Sequence, residues 1–216
     1  MGNGDAVDAV SDDPIKHVLV LSLENRSFDH MLGACQAVKA EIEGIPPGSP
    51  PRANSFAGNS YQQVDGAARI VVDDPRHETP HVLVQLKADV AGTPNTGFVE
   101  DYSVSYPMMT ASGRAEIMKY HALGMVPALH SLAQNFTVCD HWFSSVPGPT
   151  WTNRLFLMSG TSLGRVSMPN GLMDLNFHWY DQTTIFDRLN ERSLTWAVYH
   201  GDGFVIYGCP LHCKRF

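Results

Sequence analysis

The chain has no long apolar run. Nothing in it approaches the roughly 20 consecutive apolar residues that cross a bilayer as a helix, which excludes a transmembrane helix. Positive charge is also scarce: 15 Lys and Arg stand against 22 Asp and Glu, a formal net charge of -7, and the cations form no block. Neutralising a nucleic-acid backbone requires clustered cations, so a nucleic-acid partner is excluded. A small phosphate ester is not, because local donors or a metal decide that binding. The opening MGNGDAVDAVSDDPIK carries Asp where a secretory signal would carry Lys or Arg before an apolar core, so the chain as given reads as cytoplasmic. Gly2 does not begin a myristoylation signal, since position 6 is Ala6. Only four cysteines occur, at 35, 139, 209 and 213, without the spacing of a disulfide framework. Cys35 and Cys139 read as buried reduced thiols. Cys209, His212 and Cys213 are too crowded, without a second cluster, to make a zinc site.

What is present begins with HVLVLSLENRSFDHMLG at 17–33. His17 to Leu23 has the Val and Leu-rich character of a strand buried on both faces of a parallel sheet. Glu24 and Asn25 follow it directly, and polar groups at the carboxyl end of such a strand lie where open α/β sheets bind ligands. Arg26 and Asp29 are spaced as an i, i+3 ion pair, and His30 reads as a satisfied, partly buried histidine.

Residues 1–14 read as a flexible acidic leader and 15–216 as one catalytic domain. The span EGIPPGSPPRANSFAGNS at 43–60 is rich in turn formers and reads as loop. A turn at Asp65-Gly66 predicts a small hairpin within 61–73. The loop before Thr79-Pro80 carries His77, and a helix is expected to about Asp89 with Val82, Leu83, Leu86 and Val90 on one face. Residues 114–135 predict a helix interrupted near Gly124 and resumed after Pro127. FTVCDHWF at 136–143 and TWAVYHGD at 195–202 read as further buried strands. Between them, a Pro-Gly-Pro turn precedes Thr150 and a helix from Trp151. A second amphipathic helix is expected within TTIFDRLNERSL at 183–194, with Ile185, Phe186 and Leu189 inward. Trp142, Phe143 and Trp151 are expected in the core. Asp140 and His141 read as supporting or packing groups, and Arg154 as internally paired, with phosphate contact as its alternative. Strand, helix, strand alternation makes the chain α/β.

Three ordered blocks, HVLVLSLENRSFDHMLG at 17–33, LAQNFTVCDHWFSSVPGPTWTNRLFLMSGTS at 132–162 and TIFDRLNERSLTWAVYHGD at 184–202, resemble the phosphoesterase family that includes bacterial phospholipases C and acid phosphatases. DPRH at 74–77 and GFVEDY at 97–102 extend the likeness. It implies an alkaline phosphatase-like fold with a mostly parallel central sheet flanked by helices, incomplete at the carboxyl end. It implies metal-dependent phosphate-ester hydrolysis of phospholipase C type, with an acid phosphatase-type phosphomonoesterase or a truncated, inactive phosphate-binding protein as the alternatives.

On this resemblance Thr150 is the nucleophile, Asn153 donates to a phosphoryl oxygen, and His77 contacts phosphate, with His81 as its rival. Glu24, Asn25 and Thr150 are the ligands of a divalent metal ion. These are hard oxygen donors, and a hydroxyl needs a metal or a base before it attacks. Further ligands belong to a continuation absent here, so this chain alone is expected to be weakly active and to expose an unpaired sheet edge. A phospholipid or small phosphate ester is the implied substrate, with peripheral membrane contact only through it. Thr150 lacks the C/S-x-P-x-R context of sulfatases.

Overall fold

A computed structural model of the chain describes residues 14–24, 26–87, 92, 94–168 and 182–199. Among them the structure is α/β, built of short helices and two small sheets rather than one broad sheet. Helix α1 (Phe28–Leu32) runs into a 3-10 turn (Gly33–Ala37). Strands β1 (Ala53–Phe56) and β2 (Asn59–Gln62) form an antiparallel hairpin, and β3 (Val64–Asp65) pairs in parallel with β4 (Lys119–Tyr120). The remaining helices are α2 (Thr79–Leu86), α3 (Phe98–Ser105), α4 (Ala111–Ala115), α5 (Pro127–Asn135), α6 (Thr150–Ser159) and α7 (Ile185–Glu191).

Local chemistry explains these ends. Pro at the first turns of α2 and α5 costs no hydrogen bond there and presets φ. Thr184 and Asp187 close a reciprocal capping box on α7. Gly160 ends α6 in the left-handed conformation that lacks a Cβ penalty for glycine.

Several expectations require correction. The apolar side chains of Val18–Leu23 form no strand pairing and are 73% to 90% exposed. Residues 136–143 and 195–199 are likewise unpaired, and 200–202 lie outside the described residues. Apolar content fits a segment to a strand, but pairing requires a neighbouring strand, and among the described residues none pairs with these segments. The hairpin turns at Ala57-Gly58, inside the span read as loop, and not at Asp65-Gly66. After Asp65 the chain leaves for Ala67, whose N–H donates to Tyr120 O at 3.1 Å. Trp142 and Phe143 are 78% and 76% exposed, Cys139 is exposed, and Ile185 is exposed, whereas Trp151 and Cys35 are buried as expected. Arg26 does not pair with Asp29. It reaches His30 Nε2 at 3.0 Å, and Asp29 takes Arg52 at 3.3 Å. Asp89, Val90 and the tail with Cys209, His212 and Cys213 lie outside the described residues.

The core is modest. Cys35, Ile42 and Ala133 are buried together, with Phe28, Leu32 and Val138 packed on them, which joins α1 to α5. Burying Ile42, 3% exposed, contributes about 1.5–3 kcal/mol. A second centre lies where α2, α3 and β1 meet. Asn54 is buried there, donating to Asn95 O at 3.2 Å and accepting from Val99 N at 3.4 Å. Gly97 makes this packing possible, because a Cβ there would lie 1.8 Å from Val84 O. Only glycine admits that approach.

Candidate functional site

The described site is assembled around the first turn of α6. Pro149 is the N-cap residue, with φ -74 and ψ 170, so the capping position supplies no side-chain hydrogen bond. Thr150 begins the helix and is partly open to solvent. One turn on, Arg154 lies on the same face as Thr150. Its Nε donates to Glu24 Oε2 at 3.0 Å and its Nη2 to Glu24 Oε1 at 2.5 Å. The segment ending in Glu24 is thereby held against the helix that Thr150 starts, across 130 residues of chain. Bidentate guanidinium and carboxylate geometry fixes direction as well as distance.

The turn before Thr150 is held by Asn153. Its Nδ2 meets Val146 O, Gly148 O and Pro149 O at 3.1, 3.1 and 3.2 Å, and its Oδ1 accepts from Val146 N at 3.1 Å. Two amide hydrogens thus serve three carbonyls, and a phosphoryl oxygen would have to compete with them. Gly148 abuts the start of α2: a Cβ there would lie 2.6 Å from Thr79 Oγ1. Thr79 Oγ1 itself donates to Val166 O at 2.6 Å. The loop that carries His77 therefore ends against the turn that carries Thr150.

His77 has Nδ1 3.3 Å from Pro75 O and 4.0 Å from Asp74 Oδ2, and its ring is partly exposed. A carbonyl only accepts, so Nδ1 carries the hydrogen. His81 is engaged elsewhere, its Nδ1 donating to the buried Asp101 Oδ1 at 2.7 Å. Two residues along a helix is a rotation of about 200°, so His81 points to α3 while Thr79 faces the Thr150 turn. Asn25 lies outside the described residues.

Beside this region, Arg26 donates to His30 Nε2, and the His30 and His121 rings meet edge to face at 4.9 Å. Burial, then the Arg26 cation, lowers the pKa of both rings below the ordinary histidine value, with each also feeling a neighbouring histidine. Sequence reasoning gave neither Arg26–His30 nor the His121 contact. The four-residue spacing of Arg26 and His30 was the available signal.

Among the described residues no group of three His, Cys, Asp or Glu side chains gathers to hold a metal. The donors are nonetheless of the right kind for a hard cation: a carboxylate and a hydroxyl, all oxygen. Glu24 already demands positive charge, and both of its oxygens are met by Arg154.

Thr150, which starts α6 after a Pro-Gly-Pro turn, thus shares a helix face with the Arg154 that holds Glu24. The phosphoesterase family model matches residues 15–212, and the chain belongs to the phosphoesterase family. It is 34% identical over 203 residues to non-specific phospholipase C4 of Arabidopsis thaliana, covering 87% of this chain and 36% of that protein. It is 37% identical over 191 residues to non-specific phospholipase C6 of the same plant, covering 86% and 35%. To the non-hemolytic phospholipase C of Pseudomonas aeruginosa it is 28% identical over 211 residues, covering 86% and 27%. The chain thus spans about a third of the length of these relatives. No helix among the described residues is long and apolar enough to cross a membrane.

Proposed function

We propose that the chain carries the nucleophile-bearing part of a phosphoester hydrolase of phospholipase C type, with Thr150 as the attacking group. The observation that carries this reading is the paired hydrogen bond from Arg154 to Glu24, which draws the end of the 17–24 segment against α6 one turn beyond Thr150. The names of the relatives, phospholipases C, supply the substrate class: a phospholipid diester. In the step we propose, the Thr150 oxygen forms a bond to phosphorus as the ester bond to the alcohol breaks. The hydroxyl proton leaves with that alcohol, and water then cleaves the phosphothreonine.

The protein's own contributions are positional. Asn153 keeps the turn closed, so the Thr150 hydroxyl projects from a fixed backbone. His77, hydrogen-bonded through Nδ1, presents Nε2 toward a phosphoryl oxygen when its ring is protonated. Glu24, Asn25 and Thr150 would hold a divalent cation, which when bound supplies Lewis-acid stabilisation of charge on oxygen. The exposed apolar segment 18–23 belongs, in this reading, to a central parallel sheet of alkaline phosphatase-like type, whose neighbouring strands would cover it.

The test is hydrolysis of a choline phospholipid and of nitrophenyl phosphate, with and without chelator, by the wild-type chain and by Thr150→Val. Valine keeps the shape and removes only the hydroxyl. Loss of at least about a thousandfold in turnover is expected for a missing nucleophile. Unchanged turnover would remove Thr150 from the role. A preference for the monoester would replace the diesterase reading with an acid phosphatase-type one.

A further inference from the structure

The α2 and α3 helices meet through polar groups, not only through packing. Asp101, on α3, is 5% exposed, and each of its carboxylate oxygens takes a different donor from α2. Oδ1 accepts from His81 Nδ1 and Oδ2 from Gln85 Nε2, both at 2.7 Å. His81 and Gln85 are four residues apart, hence on one face of α2. The second hydrogen of the same Gln85 amide donates to Arg76 O at 2.7 Å. Both neighbours of that nitrogen are acceptors only, so the amide orientation is fixed by chemistry.

Two more side chains of the α3 region hold the same loop. Tyr102 Oη donates to Asp73 O at 2.7 Å and Tyr106 Oη to Asp74 O at 2.6 Å. The Arg76 guanidinium lies over the Tyr106 ring at 5.6 Å. Three backbone carbonyls of the segment just before His77 are therefore held by three side chains, and the one nearest His77 depends on Asp101. A buried carboxylate is costly unless its donors are well placed, which makes it a demanding and directional anchor.

We propose that Asp101 is a positioning residue for His77, acting through Gln85 and the Arg76 carbonyl. The proposal rests on the phosphoester reading of the Thr150 site. It assigns GFVEDY, a motif without a role in the chemistry described above, to holding the histidine loop against the turn before Thr150.

The test uses Asp101→Asn, which keeps the shape but turns an amide N–H toward one of the two donors. Three measurements are made on the 216-residue chain: turnover of nitrophenyl phosphorylcholine, the shift of the His77 ring resonance on adding inorganic phosphate, and the thermal melt. Turnover is expected to fall at least about tenfold, as for a contact displaced by a fraction of an ångström, with the fold retained. The phosphate-induced shift at His77 should weaken in parallel. The double variant Asp101→Asn, His77→Ala should lose no more than His77→Ala alone, because both act on one contact.

A double variant slower than His77→Ala by the full Asp101→Asn factor overturns the proposal, since a merely structural loss multiplies. If Asp101→Asn does not fold, Gln85→Met carries the same cycle, because it cuts the link to Arg76 O and leaves the Asp101 to His81 bond intact. A wild-type chain that shifts His77 with phosphate but turns nothing over replaces the hydrolase reading of this chain with the truncated, phosphate-binding one and leaves the positioning claim standing on the shift. No phosphate shift in the wild type ends both.

Discussion

Glu24 and Arg154, 130 residues apart, are joined by two hydrogen bonds, Nε to Oε2 at 3.0 Å and Nη2 to Oε1 at 2.5 Å. The two side chains remain 37% and 31% exposed, so solvent screens the pair. Replacing Arg154 with Met should lower stability by less than about 1 kcal/mol. A melt displaced by no more than about 2–4 °C would match that for a chain of this size. Glu24→Gln, which keeps the shape, should instead lower phosphoester turnover by on the order of 10²-fold, since a neutral amide can offer an oxygen but not the negative charge that balances a cation. Comparing the two variants separates a stabilising pair from a working carboxylate.

Gly148 gives a steric prediction. Its missing side chain leaves room for Thr79 Oγ1, which a Cβ would approach to 2.6 Å, and for Val166 O at 3.3 Å. Gly148→Ala should cost about 1–3 kcal/mol by overpacking. Combined with Thr79→Ala, part of that cost should return, because the clash is with the hydroxyl. Thermal melts of the four chains close the cycle, and strict additivity would refute the contact.

Acid should loosen the region around α1. Burial is the largest cause of the lowered His30 and His121 pKa values, followed by Arg26, with Glu116 opposing. The Arg26 guanidinium donates to His30 Nε2, so the ring must be neutral at that nitrogen. Below about pH 6.5 the unfolded chain then binds more protons than the folded one, and stability falls as pH falls. His30→Gln keeps an acceptor for Arg26 and removes the titration. Its Tm should decline less than the wild type's between about pH 7.5 and about pH 5.

Tyr102 behaves oppositely. Burial, then Asp73 and its other neighbours, pushes its pKa up to about 12. The neutral phenol is the form that donates to Asp73 O. Its contribution is whole below about pH 10 and is lost as pH rises through the folded value. Ultraviolet titration should find one tyrosine ionising last. Tyr102→Phe should cost about 1 kcal/mol by leaving that carbonyl without its donor.

Several helix starts were readable, because their signals are local, but α1 and α3 were not foreseen, and the helix expected from Arg114 gives way to a 3-10 turn at Glu116–Met118 and to β4. Thr79-Pro80, Pro127 and the turn before Thr150 each mark a helix start within a few residues, and each start is where the marks lie. Strands were not readable in the same way. The run from Val18 to Leu23 has the composition of a buried strand, yet burial depends on neighbours that composition does not encode. Ala57-Gly58 and Asp65-Gly66 are both plausible turn sites, and pairing with Lys119–Tyr120 over a long loop decided between them. The same limit applies to the site. Thr150 and Glu24 stand out by motif, whereas the Arg154 to Glu24 bond and the choice of Asp101 by His81 arise only once distant segments meet.

The closed turn ahead of Thr150 has one consequence for temperature. Pro147 and Pro149 each restrict φ, and Asn153 holds the carbonyls of Val146, Gly148 and Pro149, so little backbone freedom is left in the turn. With Thr150 in the role proposed for it, the ordering share of the barrier is expected to be small, which an activation entropy near zero would register.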